Sequence, residues 1–204
     1  MNKFRVYDKK NKEIIYDYFA IDNEGVLYYV SYINSQKTKC NQDDFIIMHS
    51  TNRRDQEGIE IYERDILRNS SGLEYVVMNG EHDLFHSGDI NGATNQGFVA
   101  VQLKDGVIDY DDIYLLSAVE FLATVVGTYI SSEEKYLLPY TYDDGSWYCP
   151  ECGEEIGSFF MINAPENDIR EEWNHCECCE ALFDFARWEM IIDKLNGDED
   201  DDYL

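Results

Sequence analysis

Four cysteines fall into two pairs with the same internal gap, Cys149-Pro-Glu-Cys152 and Cys176-Glu-Cys-Cys179. A C-x-x-C turn brings two thiolates out on one side of the chain. Two such turns facing each other offer four sulfurs, at about 2.3 Å, to a tetrahedral zinc ion. With four protein ligands no coordination position stays open, so the expected role is structural. Gly153 directly after the first pair, and Trp147, Tyr148, Phe183 and Phe185 around the two, fit a zinc ribbon built on two β-turns. His175 and Cys178 also stand within reach of the second pair; Cys179 is assigned because it keeps the two-residue gap. A redox role lacks the βαβ pattern that a thioredoxin-like C-x-x-C requires. The expected ligands are therefore Cys149, Cys152, Cys176 and Cys179, and the expected cofactor is structural Zn²⁺.

His82 and His86, in HDLFH, have the spacing of the H-E-x-x-H zinc peptidases, with Asp83 where the glutamate base belongs. Two ligands on one face require a helix, and the Gly- and Asn-rich surroundings make a poor one. The chain carries no Gly-rich phosphate loop, no G-x-S-x-G and no cysteine–histidine pair in a nucleophile context. The expectation is a protein that is not an enzyme; a metal-dependent hydrolase using His82 and His86 lacks a third ligand at recognisable spacing.

Charge is the largest anomaly of composition. The 204 residues hold 16 Lys/Arg against 42 Asp/Glu, a net charge of −26. Residues 1–68 carry 11 bases against 12 acids, so residues 69–204 carry the remaining 5 against 30, a net −25. Such a potential repels nucleic-acid phosphates and attracts basic surfaces. Glu166, Asp168, Glu171 and Glu172 surround Arg170 in the stretch between the cysteine pairs, and with Asp109, Asp111 and Asp112 they are the candidate partner contacts. A solvated loop face explains the first four equally well.

The elements that must position these groups read mainly as strands. FRVYD from Phe4, EIIYDYFAI and VLYYVSYI are separated by the turn stretches KKNKE and DNEG and read as three strands joined by hairpins. FIIMHS and IEIYERDILRN flank the loop NRRDQEG as a further pair. LEYVVMNG and GFVAVQLKDG continue the rhythm, with EHDLFHSGDINGATNQ between them as a long loop. Residues 113–130 read as a short helix running into a strand at ATVVGTYI.

The polar, Tyr-rich stretch from Ser131 to Gly145 reads as a domain boundary. It divides the chain into a β domain over residues 1–135, a zinc-ribbon domain with a C-terminal helix over 136–197, and an acidic tail over 198–204. The helix is read from Ala181, Phe185, Trp188, Ile192 and Leu195, a stripe taken as core and ending at Gly197. The fold class expected is mainly β, of α+β type. No run of 18 apolar residues exists and the N-terminus lacks the apolar stretch of a secretory signal, so a cytosolic protein without a membrane span is expected.

The stretch GIEIYERDIL, residues 58–67, resembles the hallmark of the YopX family of phage and prophage proteins, approximately Gly-x-Glu-Ile-Tyr-Glu-Gly-Asp-Ile-Val. Gly58, Glu60, Ile61, Tyr62, Glu63, Asp65 and Ile66 match, and Arg64 stands where the family has Gly. The opening KFRVYDKKNKEIIY and the segment VVGTYIS at 125–131 are similar to the family's first and closing strands, so the resemblance covers about residues 3–131. It implies a small barrel-like β domain and a phage or prophage origin in a bacterial cytoplasm, with the cysteine segment as an addition. It names no activity.

Duplex DNA carries one charge per about 1.7 Å of axis, so 25 excess charges match roughly a dozen base pairs, about 40 Å of helix. The functional expectation is therefore an acidic inhibitor of a basic host protein that handles nucleic acid, such as a nuclease or CRISPR effector, with an anti-CRISPR or anti-restriction role by nucleic-acid mimicry. The alternative is a zinc-ribbon accessory protein that binds nucleic acid. The ribbon region supplies only Arg170, Arg187 and Lys194 for that purpose, leaving Lys9, Lys10, Lys12, Arg53, Arg54, Arg64 and Arg68 as the surface it would need.

Overall fold

Strand-forming runs broken by Gly, Asn and Asp turns give a mainly β protein, a half-barrel sheet with a short helix among the described residues. The structure is a computed structural model that describes residues 3–84, 93–131, 134–141, 146–158, 175–176, 178–184, 187–188 and 190. The first strands are β1 (Phe4–Asp8), β2 (Glu13–Ile15), β3 (Phe19–Ile21), β4 (Leu27–Val30), β5 (Lys37–Lys39) and β6 (Phe45–Arg54). Then come β7 (Glu60–Tyr62), β8 (Asp65–Asn69), β9 (Glu74–Leu84), β10 (Ala93–Lys104), β11 (Val107–Leu115), helix α1 (Leu116–Val119) and β12 (Ala123–Tyr129). The last are β13 (Lys135–Leu137), β14 (Tyr140–Thr141), β15 (Ser146–Tyr148), β16 (Glu155–Ser158) and β17 (Leu182–Phe183).

These strands make a seven-stranded sheet in the order β11-β10-β9-β8-β12-β13-β17, a four-stranded sheet β2-β1-β6-β7, and two three-stranded sheets, β3-β4-β5 and β14-β15-β16. The largest apolar cluster gathers Ile59, Ile61, Leu67, Val77, Leu116, Val125 and Leu138 with Trp147 and Trp188. Residues on both sides of position 135 thus share one core. Tyr136 likewise packs with Tyr7, Ile14 and Met48. Among the described residues no helix is long and apolar enough to cross a membrane.

Several boundaries differ from the sequence reading, each for a physical reason. Of the stretch read as a long loop, 81–96, residues 81–84 and 93–96 are the outer arm of the β9–β10 pair, which runs from Glu74↔Leu103 out to Leu84↔Ala93, and 85–92 lie outside the described residues. Main-chain hydrogen bonds carry a ladder past the core, where side-chain alternation no longer reports it. β11 was hidden by its aspartates. Its hairpin turn is Asp105-Gly106, both at positive φ (52° and 78°), the type I′ geometry that Asp-Gly favours. The IEIYERDILRN run breaks into β7 and β8 at Arg64, and EIIYDYFAI into β2 and β3 near Tyr18, both residues at positive φ (68° and 66°).

The helical stripe read from Ala181 is corrected as well. Leu182 and Phe183 form β17, parallel to β13, because the sheet edge offers main-chain partners that outweigh a local helical period. Helical backbone appears at Arg187, Trp188 and Met190, with the Trp188 amide donating to the Asp184 carbonyl at 3.1 Å. Phe185, Ile192, Leu195, Gly197 and the acidic tail lie outside the described residues.

Gly127 permits the junction between β12 and β13. A Cβ at this position would come within 2.4 Å of the Tyr136 carbonyl oxygen and 3.0 Å of the Leu137 Cα, main-chain atoms that cannot step aside. Gly127→Ala is therefore expected to destabilise the protein by about 1–3 kcal/mol, read as a lowered midpoint in urea unfolding. An unchanged midpoint would show that β13 is not held at this distance.

Candidate metal centre and the buried arginine–aspartate node

Each cysteine pair sits in a turn closed by the same two hydrogen bonds. In the first, the Cys149 amide donates to the Glu154 carbonyl and the Gly153 amide to the Cys149 carbonyl, both at 2.9 Å. In the second, the Cys176 amide donates to the Ala181 carbonyl and the Glu180 amide to the Cys176 carbonyl, both at 2.8 Å. Gly153 and Glu180 occupy the equivalent left-handed position, at φ 73° and 60°. The first turn connects β15 to β16, and the second is bracketed by a bridge from His175 to Leu182. Both turns are therefore tips of β-hairpins, and β17 ties the second to the edge of the large sheet.

The sulfurs of Cys149, Cys152, Cys176 and Cys179 all lie within 4.8 Å of one another. Cys149–Cys179 and Cys152–Cys176 are 3.6 Å apart, close to the edge of about 3.8 Å that a tetrahedron of 2.3 Å bonds requires. The four thiols predicted as ligands can thus hold one metal ion, and a tetrahedral thiolate set suits zinc or iron. Cys149 and Cys176 are buried with Leu137 and Phe183, while Cys152 and Cys179 face outward. Cys178 is exposed and, with His175, stands outside the group of four.

Crowding splits the titration of the thiols. The Glu154 amide donates to the exposed Cys152, and against a smaller desolvation cost its pKa falls to about 7. At Cys179 the Ala181 amide works downward, but burial and hydrogen bonds from the other thiols prevail and push the pKa up to about 12. Burial raises Cys149. A metal ion entering such a group replaces protons that the thiols otherwise share.

A second constellation went unread in the sequence. Asp65, fully buried, accepts from Arg5 at 2.6 Å and from both terminal nitrogens of Arg187, one of them at 2.7 Å. It also accepts from the Tyr62 amide at 2.7 Å. Arg187 donates further to the Glu60 carbonyl at 2.7 Å. Tyr16 donates to Asp184 at 2.6 Å and lies beside Arg5. The Tyr62 ring is 5.1 Å from the Arg5 guanidinium and 5.6 Å from that of Arg187. Arg187, counted in the sequence among cations a ribbon could show to nucleic acid, is 3 % exposed and committed to Asp65. Burial raises the Asp184 carboxyl although two arginines and Tyr16 oppose it.

Arg64 takes the left-handed conformation that Gly would take, its amide donating to the Val77 carbonyl at 2.7 Å and its carbonyl accepting from Tyr129 at 2.8 Å. The turn that aims Asp65 inward is therefore made without glycine. A signal for the node existed in the sequence. Arg5 interrupts an apolar strand, and Arg187 stands next to Trp188 of the apolar stripe.

The remaining candidates scatter. Asp109, paired with Gln102, and Asp112, in the β10–β11 bulge beside it, both contact the Lys104 ammonium, Asp112 at 2.9 Å, while Asp111 is exposed. Two of these three carboxylates are thus already paired. Glu166, Asp168, Glu171 and Glu172 lie outside the described residues, as does His86. His82 belongs to β9, opposite Asn95, and a strand cannot provide the helical face its spacing requires.

Two outcomes test this geometry. The purified chain is expected to carry one metal ion. Cys152→Ala or Cys179→Ala should abolish binding and Cys178→Ser should spare it, as measured by elemental analysis and by the thiolate absorption of a Co²⁺-loaded sample. Asp65→Asn, which strands two buried guanidiniums, is expected to cost about 3–5 kcal/mol. In a double-mutant cycle with Arg187→Ala, the two losses should fall well short of additive.

The family described as YopX protein matches residues 3–127. No curated protein matches the chain in sequence. Among solved structures, protein EF1440 from Enterococcus faecalis is similar at 17% identity, covering 66% of this chain and 96% of its own, with a TM-score of 0.32. The match to residues 3–127 spans the hallmark strands, the Arg64 turn and the aspartate they enclose, and on that evidence the chain belongs to the YopX family.

Proposed function

We propose that the chain is a phage-encoded acidic binding protein, stabilised by a structural zinc ion and without catalytic activity. In this reading it occupies the nucleic-acid groove of a basic host protein in the bacterial cytoplasm. An anti-CRISPR or anti-restriction inhibitor acting by charge mimicry is its sharpest form. The observation that carries the reading is the excess of 30 acids over 5 bases in residues 69–204. The four-thiol site supports the non-catalytic part, since four protein ligands leave a metal no position for substrate.

The folded chain also uses cations of its first third internally. Arg53 pairs with Glu120 at 2.6 Å, Arg68 is bound to Glu74, and Arg64 donates to the Ile130 carbonyl at 3.2 Å. With Lys9 donating to the Asp43 carbonyl and Arg54 to the Gly58 carbonyl, such contacts engage five of the seven cations that the nucleic-acid-binding alternative would need. They leave the net charge at −26, so long-range attraction to a basic partner persists.

Steering by charge is screened beyond a Debye length of about 8 Å at physiological salt. Tagged protein incubated with bacterial lysate should therefore recover a basic nucleic-acid-handling protein at low salt, free of DNA and RNA, and release it as salt rises. Recovery of nucleic acid itself would move the assignment to the zinc-ribbon alternative. Retention of a partner at high salt would exclude charge mimicry as the basis of binding.

A further inference from the structure

A cleft of about 580 Å³ opens where β1, the β2–β3 connection, the hallmark segment and the C-terminal helical residues meet. Its size is that of a small-molecule site, for which about 300–1,000 Å³ is usual. Five of its thirteen lining residues are aromatic and three are cations, in a chain where acids outnumber bases 42 to 16. The lining, with Glu60 and Asp17 as its only acids, thus lacks the acidic excess of the chain as a whole.

The cations take different roles. Arg187, at the base, is matched by Asp65. Lys3 and Arg54 belong to the exposed part of the lining, where Lys3 holds Glu60 at 2.8 Å and Arg54 donates to the Gly58 carbonyl at 2.6 Å. Glu60 also accepts from Ser50 at 2.6 Å. Burial works against its charge, yet the bonds from Lys3 and Ser50 hold its carboxyl below the usual range. Lys3, Glu60 and Arg54 therefore sum to one positive charge, opposed within the lining only by the exposed Asp17. Tyr18 is 51% exposed on the same cleft, and Tyr62 is half-buried beneath it.

We propose that this cleft binds a mononucleotide, with the planar base against the tyrosine rings and the phosphate beside Lys3 and Arg54. Aromatic faces accept any base by stacking, and a cation pair accepts a small anion. A strand of nucleic acid presents the same chemistry but would lay further phosphates against a chain of net charge −26, so the free nucleotide is the favoured source.

The test is calorimetric titration of the full chain with AMP, GMP, CMP and UMP, with the matching nucleosides, and with a short single-stranded oligonucleotide. Saturable mononucleotide binding is expected, with nucleosides at least about tenfold weaker. Arg54→Gln and Lys3→Gln should each weaken nucleotide binding about fivefold or more and leave nucleoside binding unchanged. Tyr18→Ala should weaken both about tenfold. Unfolding midpoints within a degree or two of the parent would show that each variant is folded. Absence of saturable binding up to about 1 mM, or binding indifferent to all three substitutions, overturns the proposal. An oligonucleotide that binds more tightly than the mononucleotides overturns the free-nucleotide source and assigns the cleft to a strand.

Discussion

The structure depends on one buried carboxylate. Asp65 stands where the hallmark strands turn inward, and it draws Arg5 from the first strand and Arg187 from the last described helical residues onto a single point. Two guanidiniums enclosed beside one carboxylate would leave an uncompensated charge. Asp184, which accepts from Tyr16, is the second carboxyl set beside the two arginines. Such a cluster is costly to bury and contributes little net stability compared with an apolar packing. Its effect is on register, because the contacts of Asp65 with Arg5, Arg187 and the Tyr62 amide require one arrangement of the N-terminal strands, the Asp65 turn and the C-terminal segment.

The cysteine segment is joined to the rest by more than that node. β13 and β17 extend the large sheet, and Trp147 and Trp188, with ring centres 4.1 Å apart, enter the main apolar cluster. Cys149 and Cys176 pack against Leu137 and Phe183, side chains of the last two strands of the large sheet. A metal ion bound by the four thiols would therefore brace the sheet edge and, through the short chain from Phe183 to Arg187, the position of the arginine over Asp65.

The features most legible in the sequence were those with local causes. The cysteine gaps gave the four-thiol cluster, the Gly and Asn turns gave most hairpins, and residues 113–130 gave the helix-to-strand transition at Ala123. What could not be read depended on distant partners. Asp65 is 60 residues from Arg5 and 122 from Arg187, and no periodicity records such a meeting. The outer β9–β10 arm was missed because its ladder is main-chain, and β17 because a sheet edge overrode a helical stripe. Glu166, Asp168, Glu171 and Glu172, the candidate contacts between the cysteine pairs, belong to residues outside those described.

The 122-residue gap between Asp65 and its bidentate partner also sets an order of events during synthesis. At about 5–20 residues per second, roughly 6–24 s separate the two residues on the ribosome. In that interval the hallmark aspartate can meet Arg5 alone, and the cleft lacks the wall that Arg187 and Met190 provide. The family domain therefore matures only after the second cysteine pair has been made. Closing the node is a late step, and the nascent chain is at its most vulnerable to proteases while that step is pending.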